Sequence, residues 1–134
     1  MVRLSHLILF SLIIMSGCAT SGDVIKAKQE GTEGITREYP VNFDQAWRIS
    51  VSVLRSNGAK TIEEHPSEGY MLADIGMTAF SWGTQAGIWI IKLDNNTTKV
   101  TAVTKRKMQT NAVSALSEGE FHDKFVQAIE LMKK

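Results

Sequence analysis

The sequence predicts a two-layer α+β domain, in which an antiparallel sheet of about five strands packs on two helices. Two amphipathic helical segments, at 42–58 and 117–134, support this prediction, as does the series of short alternating segments between them. One further strand precedes the first helix, so the predicted order is β-α-β-β-β-β-α. Each helix has one apolar face, and both faces are expected to pack against the same face of the sheet.

The first helix has clear signals at both ends. Asn42 and Gln45 have the spacing of a capping box, in which each side chain satisfies a free backbone N–H group of the other residue. Gly58 stands where a helix commonly ends in the left-handed conformation. The predicted buried stripe consists of Phe43, Ala46, Trp47, Val51 and Leu54.

The second helix repeats this design near the end of the sequence. Ser117 and Glu120 have capping-box spacing. The predicted buried stripe consists of Phe121, Phe125, Ala128, Ile129 and Met132. His122 falls beside this stripe, and we expect it to be a surface histidine.

The strands are predicted from alternation and from turn residues. The segment 35–41 is predicted to be a strand, and Pro40, which cannot donate a backbone hydrogen bond, suggests either an edge strand or the end of the strand. Segments 59–65 and 70–75 are joined by the turn-forming residues 66–69. The clearest hairpin, 87–107, has Asn95-Asn96 at its tip, where we expect the positive φ that a tight turn needs.

An apolar run near the start of the sequence is typical of an export signal. It extends from Leu7 to Met15, follows Arg3 and leads to the small residues Ser16 and Gly17. A membrane-spanning helix needs about 20 apolar residues, so this run is short for a span. The order basic, apolar, small is that of a secretory signal peptide, which we assign to residues 1–17.

The cysteine that follows sharpens the assignment. Met15-Ser16-Gly17-Cys18 resembles the lipobox of bacterial lipoproteins, with Met in place of the usual Leu at its first position. The resemblance implies cleavage before Cys18, acylation of Cys18 and anchoring in a membrane. In enteric lipoproteins, Asp at the position after the lipidated cysteine favours retention in the inner membrane. Here that position is Ala19, so the resemblance implies that the protein is anchored in the outer membrane and faces the periplasm. The alternatives are a buried cysteine and an uncleaved anchor.

Residues 18–34 are expected to be the lipidated cysteine and a flexible tether, because this stretch is rich in small and charged residues. Such a coil has an end-to-end distance of about 20–25 Å. A short helix or an edge strand is the alternative. Residues 35–134 then form the domain. The whole chain has 15 Lys and Arg against 14 Asp and Glu, so no strong basic field points to nucleic acid.

The domain has no recognisable catalytic set, and we expect no enzyme, cofactor or metal. His65 and His122 have no metal-binding spacing. Glu63 and Glu64 point to opposite faces of a strand and cannot share a proton. Cys18 is the single cysteine, so no disulfide and no thiolate site exist beyond it.

The segment "GMTAFSWGTQAG", residues 76–87, is long for a hairpin connection and carries Met77, Phe80 and Trp82. If these side chains are exposed, they form an apolar patch that contacts a partner protein, a lipid surface or a ligand. If they fold back, Phe80 and Trp82 cover the end of the core.

The domain also resembles small bacterial lipoproteins of α+β build, and its layout is similar to the helix-grip domains in the lipoprotein subunit of the outer-membrane barrel assembly machine. The residues that carry this pattern are Phe43, Ala46, Trp47, Gly58, Glu68 and Gly69. The resemblance implies a fold and a compartment, and it brings no catalytic residues.

Three function classes follow. The first is a non-enzymatic envelope lipoprotein, an accessory or adaptor that binds another envelope protein. The second is a carrier for a lipid or a cell-wall fragment between sheet and helices, with Met71, Phe80, Trp82 and Trp89 as the lining. The third and weakest is a hydrolase, which needs His65 or His122 near a serine and a carboxylate.

Overall fold

The computed structural model describes residues 20–31, 33–76, 82–108 and 116–134. Within these residues it confirms the predicted α+β fold, with a five-stranded antiparallel sheet in the order β1-β5-β4-β3-β2. The elements are α1 (Ser21–Glu30), β1 (Ile35–Tyr39), α2 (Phe43–Ser56), β2 (Ala59–His65), β3 (Tyr70–Ile75), β4 (Thr84–Asp94), β5 (Thr97–Arg106) and α3 (Glu118–Met132).

The main core lies between one face of the sheet and the helices α2 and α3, as predicted. The predicted stripe of α2 is only partly right, because Phe43, Trp47 and Val51 are half-buried, whereas Ile49, Ser50 and Val53 are buried. Met71, Ile88 and Ala102 point to this face from three adjacent strands, and all three are fully buried. From α3, Phe121 and Phe125 are fully buried in the same cluster. The ring centroids of Tyr39 and Phe125 lie 4.3 Å apart, which ties the end of β1 to α3.

Helix α2 begins and ends where its sequence signals place it. The Asn42 side chain accepts a hydrogen bond from the Gln45 backbone at 2.8 Å, and the Asn42 backbone donates to the Gln45 side chain at 3.1 Å. Gly58 has a φ of 87°, in the left-handed region. The capping box and the glycine stop are therefore both confirmed.

Helix α3 follows its prediction with three differences. Ser117 Oγ accepts from the Glu120 backbone at 3.2 Å, but the Glu120 carboxylate lies 3.0 Å from Lys124 Nζ, so the box is not reciprocal. The prediction that Met132 is buried is wrong, since its side chain is exposed, as is that of Leu131 beside it. The prediction that His122 is a surface residue is wrong, since its side chain is fully buried.

The β4–β5 turn forms without the predicted positive φ. Among the described residues only glycines have a positive φ, so Asn95 and Asn96 do not take the left-handed conformation. The Asp94 carboxylate instead accepts from the Asn96 backbone at 2.8 Å, as in an Asx turn. A register shift between Lys92 and Asp94 supplies the local bend that the turn requires.

The predicted flexible tether contains a helix, α1, on the sheet face opposite α2 and α3. Thr20 begins it, because its backbone N–H and its hydroxyl both donate to the Asp23 carboxylate, at 2.6 and 3.0 Å. Gly31, with a φ of 64°, ends it. Val24 and Ala27, one helical turn apart, are buried in a second small cluster with Leu72 and Val103. The alternative of a short helix was therefore correct, because the sheet supplies the apolar surface that α1 alone lacks.

Candidate functional site

Most of the predicted contact residues lie outside the described part of the chain. Cys18, Met77 and Phe80 are among the residues whose structure is not described. Trp82 is described, two residues before the start of β4, and 55% of its surface is exposed. More than half of the Trp82 side chain is therefore accessible, as the contact-patch alternative requires.

Two of the residues predicted to line a carrier cavity, Met71 and Trp89, lie on opposite faces of the sheet. Met71 is fully buried in the core between the sheet and the helices α2 and α3. Trp89 lies on the opposite sheet face, beside Tyr70 and beneath α1, with Lys28 Nζ 5.8 Å from its ring centroid. A single ligand between the sheet and α2–α3 would thus touch Met71 and not Trp89.

The buried His122 connects the edge strand β1 to α3. Its Nε2 lies 2.8 Å from the Ile35 carbonyl oxygen, and its Nδ1 lies 2.6 Å from the Tyr39 hydroxyl. Because a carbonyl oxygen only accepts, Nε2 carries the proton, and in the neutral ring Nδ1 accepts from Tyr39. Burial lowers the pKa of His122 and raises the pKa of Tyr39, which keeps both groups neutral.

Both ring nitrogens of His122 are thus used in holding the fold, and neither faces a serine. His65 lies at the end of β2, where its Nε2 is 2.7 Å from the Glu63 carboxylate and its ring stacks on Tyr70 at 4.5 Å. Glu64, which follows Glu63 in the chain, accepts a hydrogen bond from Trp47 on the other side of the strand. The expected separation of Glu63 and Glu64 is confirmed by these different partners.

A groove with a volume of about 670 Å³ lies between α2 and the sheet edge. Trp47, Arg48, Val51 and Arg55 line it along α2, and Glu64 of β2 closes one side. The indole Nε1 of Trp47 donates to Glu64 Oε1 at 2.7 Å, which joins the helix to the strand. We call this concavity the α2–β2 groove.

The groove combines an apolar floor with positive charge. Trp47 and Val51 are half-buried and pack against the core, so their outer surfaces form the floor. Arg48 and Arg55 are exposed, and neither forms an ion pair with another described residue. They lie two helical turns apart on one side of α2, about 10 Å along the axis.

The sheet edge beside the groove is open. β2 pairs with β3 on one side, and no other described strand pairs with its second side. An unpaired edge presents a row of backbone donors and acceptors to which an extended segment can add. The charged residues Lys60, Glu63 and Glu64 along β2 discourage unselective pairing of this edge.

A second exposed apolar surface lies on the far part of β4, on the face that α1 covers. Ile91 and Leu93 are exposed there, beyond the point where α1 packs on Trp89. Side chains alternate between the two faces of a strand, so Trp89, Ile91 and Leu93 share one face, and this strip continues past the end of α1. It lacks the open strand edge that the α2–β2 groove has.

The described residues contain no group of three or more His, Cys, Asp or Glu side chains that would hold a metal ion. In the same part of the chain, no helix has the length and apolar character needed to cross a membrane. The chain matches no protein-family model and no curated protein sequence. The functional argument therefore depends on the sequence patterns and on the site geometry.

Proposed function

We propose that this chain is a lipoprotein of the bacterial envelope, held in the outer membrane by acyl chains on Cys18 and facing the periplasm. It acts without catalysis, as an adaptor that binds another envelope protein. The signal and lipobox pattern of residues 1–18 supports the anchor, and Ala19 supports the outer membrane. The α2–β2 groove beside an open strand edge is the observation that supports the binding role.

An extended segment of the partner fits this site in two ways at once. Its backbone adds to the free edge of β2, which supplies affinity through main-chain hydrogen bonds. Its alternate side chains then point toward the groove, where Trp47 and Val51 offer apolar contact. Trp47 is held in place by its hydrogen bond to Glu64, so this contact surface needs little rearrangement on binding.

The charge of the groove favours an acidic segment. Arg48 and Arg55 have no carboxylate partner among the described residues, whereas the one groove carboxylate, Glu64, already accepts from Trp47. Arginine binds carboxylates through two parallel hydrogen bonds, which adds direction to the contact. A segment with carboxylates at alternate positions therefore complements the groove.

A photo-crosslinking experiment in intact cells tests this proposal. Ser52 is exposed on the groove side of α2, between Arg48 and Arg55, and is replaced by p-benzoylphenylalanine. Gln127, exposed on α3 and outside the groove, receives the same replacement as the matched control. We expect a crosslink from position 52 to one envelope protein, within an acidic extended segment, and none from position 127.

Charge reversal then tests the chemistry of the groove. Arg48→Glu combined with Arg55→Glu is expected to abolish the crosslink from position 52. Lys92→Glu combined with Lys134→Glu reverses the same number of exposed charges elsewhere and is expected to leave it intact. Equal crosslinking from positions 52 and 127, or a crosslink insensitive to Arg48 and Arg55, contradicts the groove as the binding site.

A further inference from the structure

The position of α1 determines which end of the domain lies next to Cys18. Ser21 Oγ lies 3.4 Å from the Gln85 side chain near the start of β4, and Lys28 lies over Trp89, four positions further along that strand. Helix α1 therefore runs along β4 in the same direction as the strand. Its first residue lies at the sheet end where β4 begins.

The number of residues between Cys18 and α1 limits how far an acyl anchor on Cys18 can be from this end. Ala19 and Thr20 alone separate it from Ser21, the first residue of α1. Consecutive Cα atoms are 3.80 Å apart, so the Cα atom of Cys18 lies within about 8 Å of that of Thr20. Thr20 is itself fixed by its two hydrogen bonds to Asp23. The expected standoff of about 20–25 Å through a flexible tether is therefore replaced by a short link.

We define the anchor end as the sheet end formed by residues 82–84 and 106–108. The two strands meet there through a hydrogen bond from the Lys107 backbone to the Gly83 carbonyl oxygen, at 3.1 Å. Trp82 and Met108 flank this bond and are 55% and 38% exposed. Arg106 is exposed beside them, and the Lys107 ammonium group pairs with Asp74.

The composition of the anchor end suits the interface between lipid headgroups and acyl chains. Tryptophan is enriched at that depth because its ring is apolar and its N–H group is polar. Arginine and lysine place their alkyl stems along apolar surface and their charge among the headgroups. Exposed apolar side chains, Ile91 and Leu93, also occur at the opposite end, so the position of α1 and not exposure alone selects the anchor end.

From these observations we infer that the anchor end lies against the leaflet that holds the acyl chains of Cys18, with Trp82 and Met108 inserted at its surface. The strands and α1 then run away from the membrane, and the α2–β2 groove lies on the flank of the domain, where a partner in the periplasm reaches it. This inference rests on the proposed lipidation of Cys18 and adds the orientation of the domain.

Depth-dependent quenching of tryptophan fluorescence tests the inference. The lipidated protein, extracted from membranes, is reconstituted in vesicles of phosphatidylethanolamine and phosphatidylglycerol that contain acyl-brominated phosphatidylcholine. One variant, Trp47→Phe with Trp89→Phe, retains Trp82. The matched variant, Trp82→Phe with Trp89→Phe, retains Trp47, which lies in the first half of α2 beside Glu64, toward the opposite end of the sheet.

We expect strong quenching of Trp82, most by bromine near the headgroups, and no quenching of Trp47. The intact mass of each sample is measured first. If the mass shows acyl chains and Trp82 is not quenched, or both tryptophans are quenched equally, the orientation is wrong while the lipoprotein proposal stands. A mass without acyl chains overturns the lipoprotein proposal and the inference together.

A second readout avoids substitution of Trp89, which packs beneath α1. Once Cys18 is acylated the chain has no free thiol, so Met108→Cys introduces a single site for a nitroxide label. Glu68→Cys, in the exposed β2–β3 turn at the opposite end of the sheet, is the control. We expect the label at position 108 to be reached by oxygen dissolved in the bilayer and protected from an aqueous nickel complex, and the label at 68 to show the reverse. Equal accessibility at the two positions contradicts the inference.

Discussion

Replacing Gly87 by alanine tests whether α1 is an integral part of the domain. Gly87 lies in β4, beneath α1, and a β carbon there would be 2.6 Å from Cγ1 of Val24 and 2.6 Å from the Trp89 ring. Carbon atoms in contact are normally about 3.5–4.0 Å apart, so the overlap is about 1 Å. Val24 is a stiff β-branched residue, and the Gly87→Ala variant must therefore displace either α1 or the indole of Trp89.

Two estimates of the free-energy cost of the Gly87→Ala substitution agree. Overpacking of a closely packed site costs about 1–3 kcal/mol when the structure absorbs the extra group. If α1 leaves the sheet instead, the burial of Val24, which is complete, is lost, and full burial of valine contributes about 1.5–3 kcal/mol. We therefore expect the protection of the α1 amides against hydrogen exchange to fall by about 5- to 150-fold, since 1.4 kcal/mol corresponds to a factor of ten.

Hydrogen exchange measured by mass spectrometry on an unlipidated chain that begins at Ala19 provides the assay. Peptides from α1 are compared with peptides from β5, whose core-facing residues lie in the main core. Gly119→Ala is the matched control, because a β carbon on this residue of α3 meets no atom within 4 Å. This control is expected to stabilise the protein slightly, by up to about 1 kcal/mol. Unchanged exchange of α1 in Gly87→Ala would show that α1 does not pack over Gly87, and the placement of the anchor end would fail with it.

Three further predictions concern the buried pair of His122 and Tyr39 and the N-terminal cap of α2. Burial lowers the pKa of His122 below its ordinary value of 6.5, so at acid pH the unfolded chain binds a proton that the folded chain excludes. The contribution of His122 to the free energy of unfolding is therefore complete above pH 6.5 and declines below it. Urea titrations should show a shallower decline in His122→Gln, and an unchanged decline in this variant would contradict the assignment. Tyr39→Phe leaves Nδ1 of His122 buried without a donor and is expected to cost about 1–3 kcal/mol in urea unfolding, and a neutral effect would refute the 2.6 Å hydrogen bond. Asn42→Ala removes the α2 cap and is expected to lower the free energy of unfolding by about 1 kcal/mol, and an unchanged urea midpoint would argue against this cap.

The strands and α2 could be predicted because their signals are local. The capping box of Asn42 and Gln45, the stop at Gly58 and the turn at 66–69 each act within a few residues. The β2 and β3 boundaries at Ala59–His65 and Tyr70–Ile75 match the predicted segments for the same reason. The packing of two helices on one sheet face followed from their apolar stripes.

Helix α1 and the burial of His122 depend on distant residues, and sequence patterns alone underestimated both. The spacing of Thr20 and Asp23 is itself a capping signal, yet the helix buries only Val24 and Ala27, and the surface that receives them requires a glycine at 87. His122 is buried because its two partners come from β1, more than eighty positions earlier, with separations of 83 and 87 residues.

The α2–β2 groove was not predicted, because it depends on the order of strands in the sheet. The sequence identifies β2 as a strand and α2 as the preceding helix, but not that β2 lies at an edge. The hydrogen bond between Trp47 and Glu64 joins residues 17 positions apart. The sequence pattern assigns Trp47 to the apolar stripe of α2 and Glu64 to a strand, and nothing local connects the two. For the segment 76–87, the exposure of Trp82 favours a contact surface over a cap on the core.

The intact mass of the protein extracted from bacterial membranes, beside a Cys18→Ser version, tests the central claim most directly. Lipidation at Cys18 predicts a mass equal to the chain that begins at Cys18 plus a diacylglyceryl group on its sulfur, with or without one further acyl chain on the new amine. The Cys18→Ser protein is expected to carry neither. An uncleaved chain without acyl groups would contradict the claim. Residues 1–18 would then need another role, and the orientation of the domain at the membrane would lose its basis.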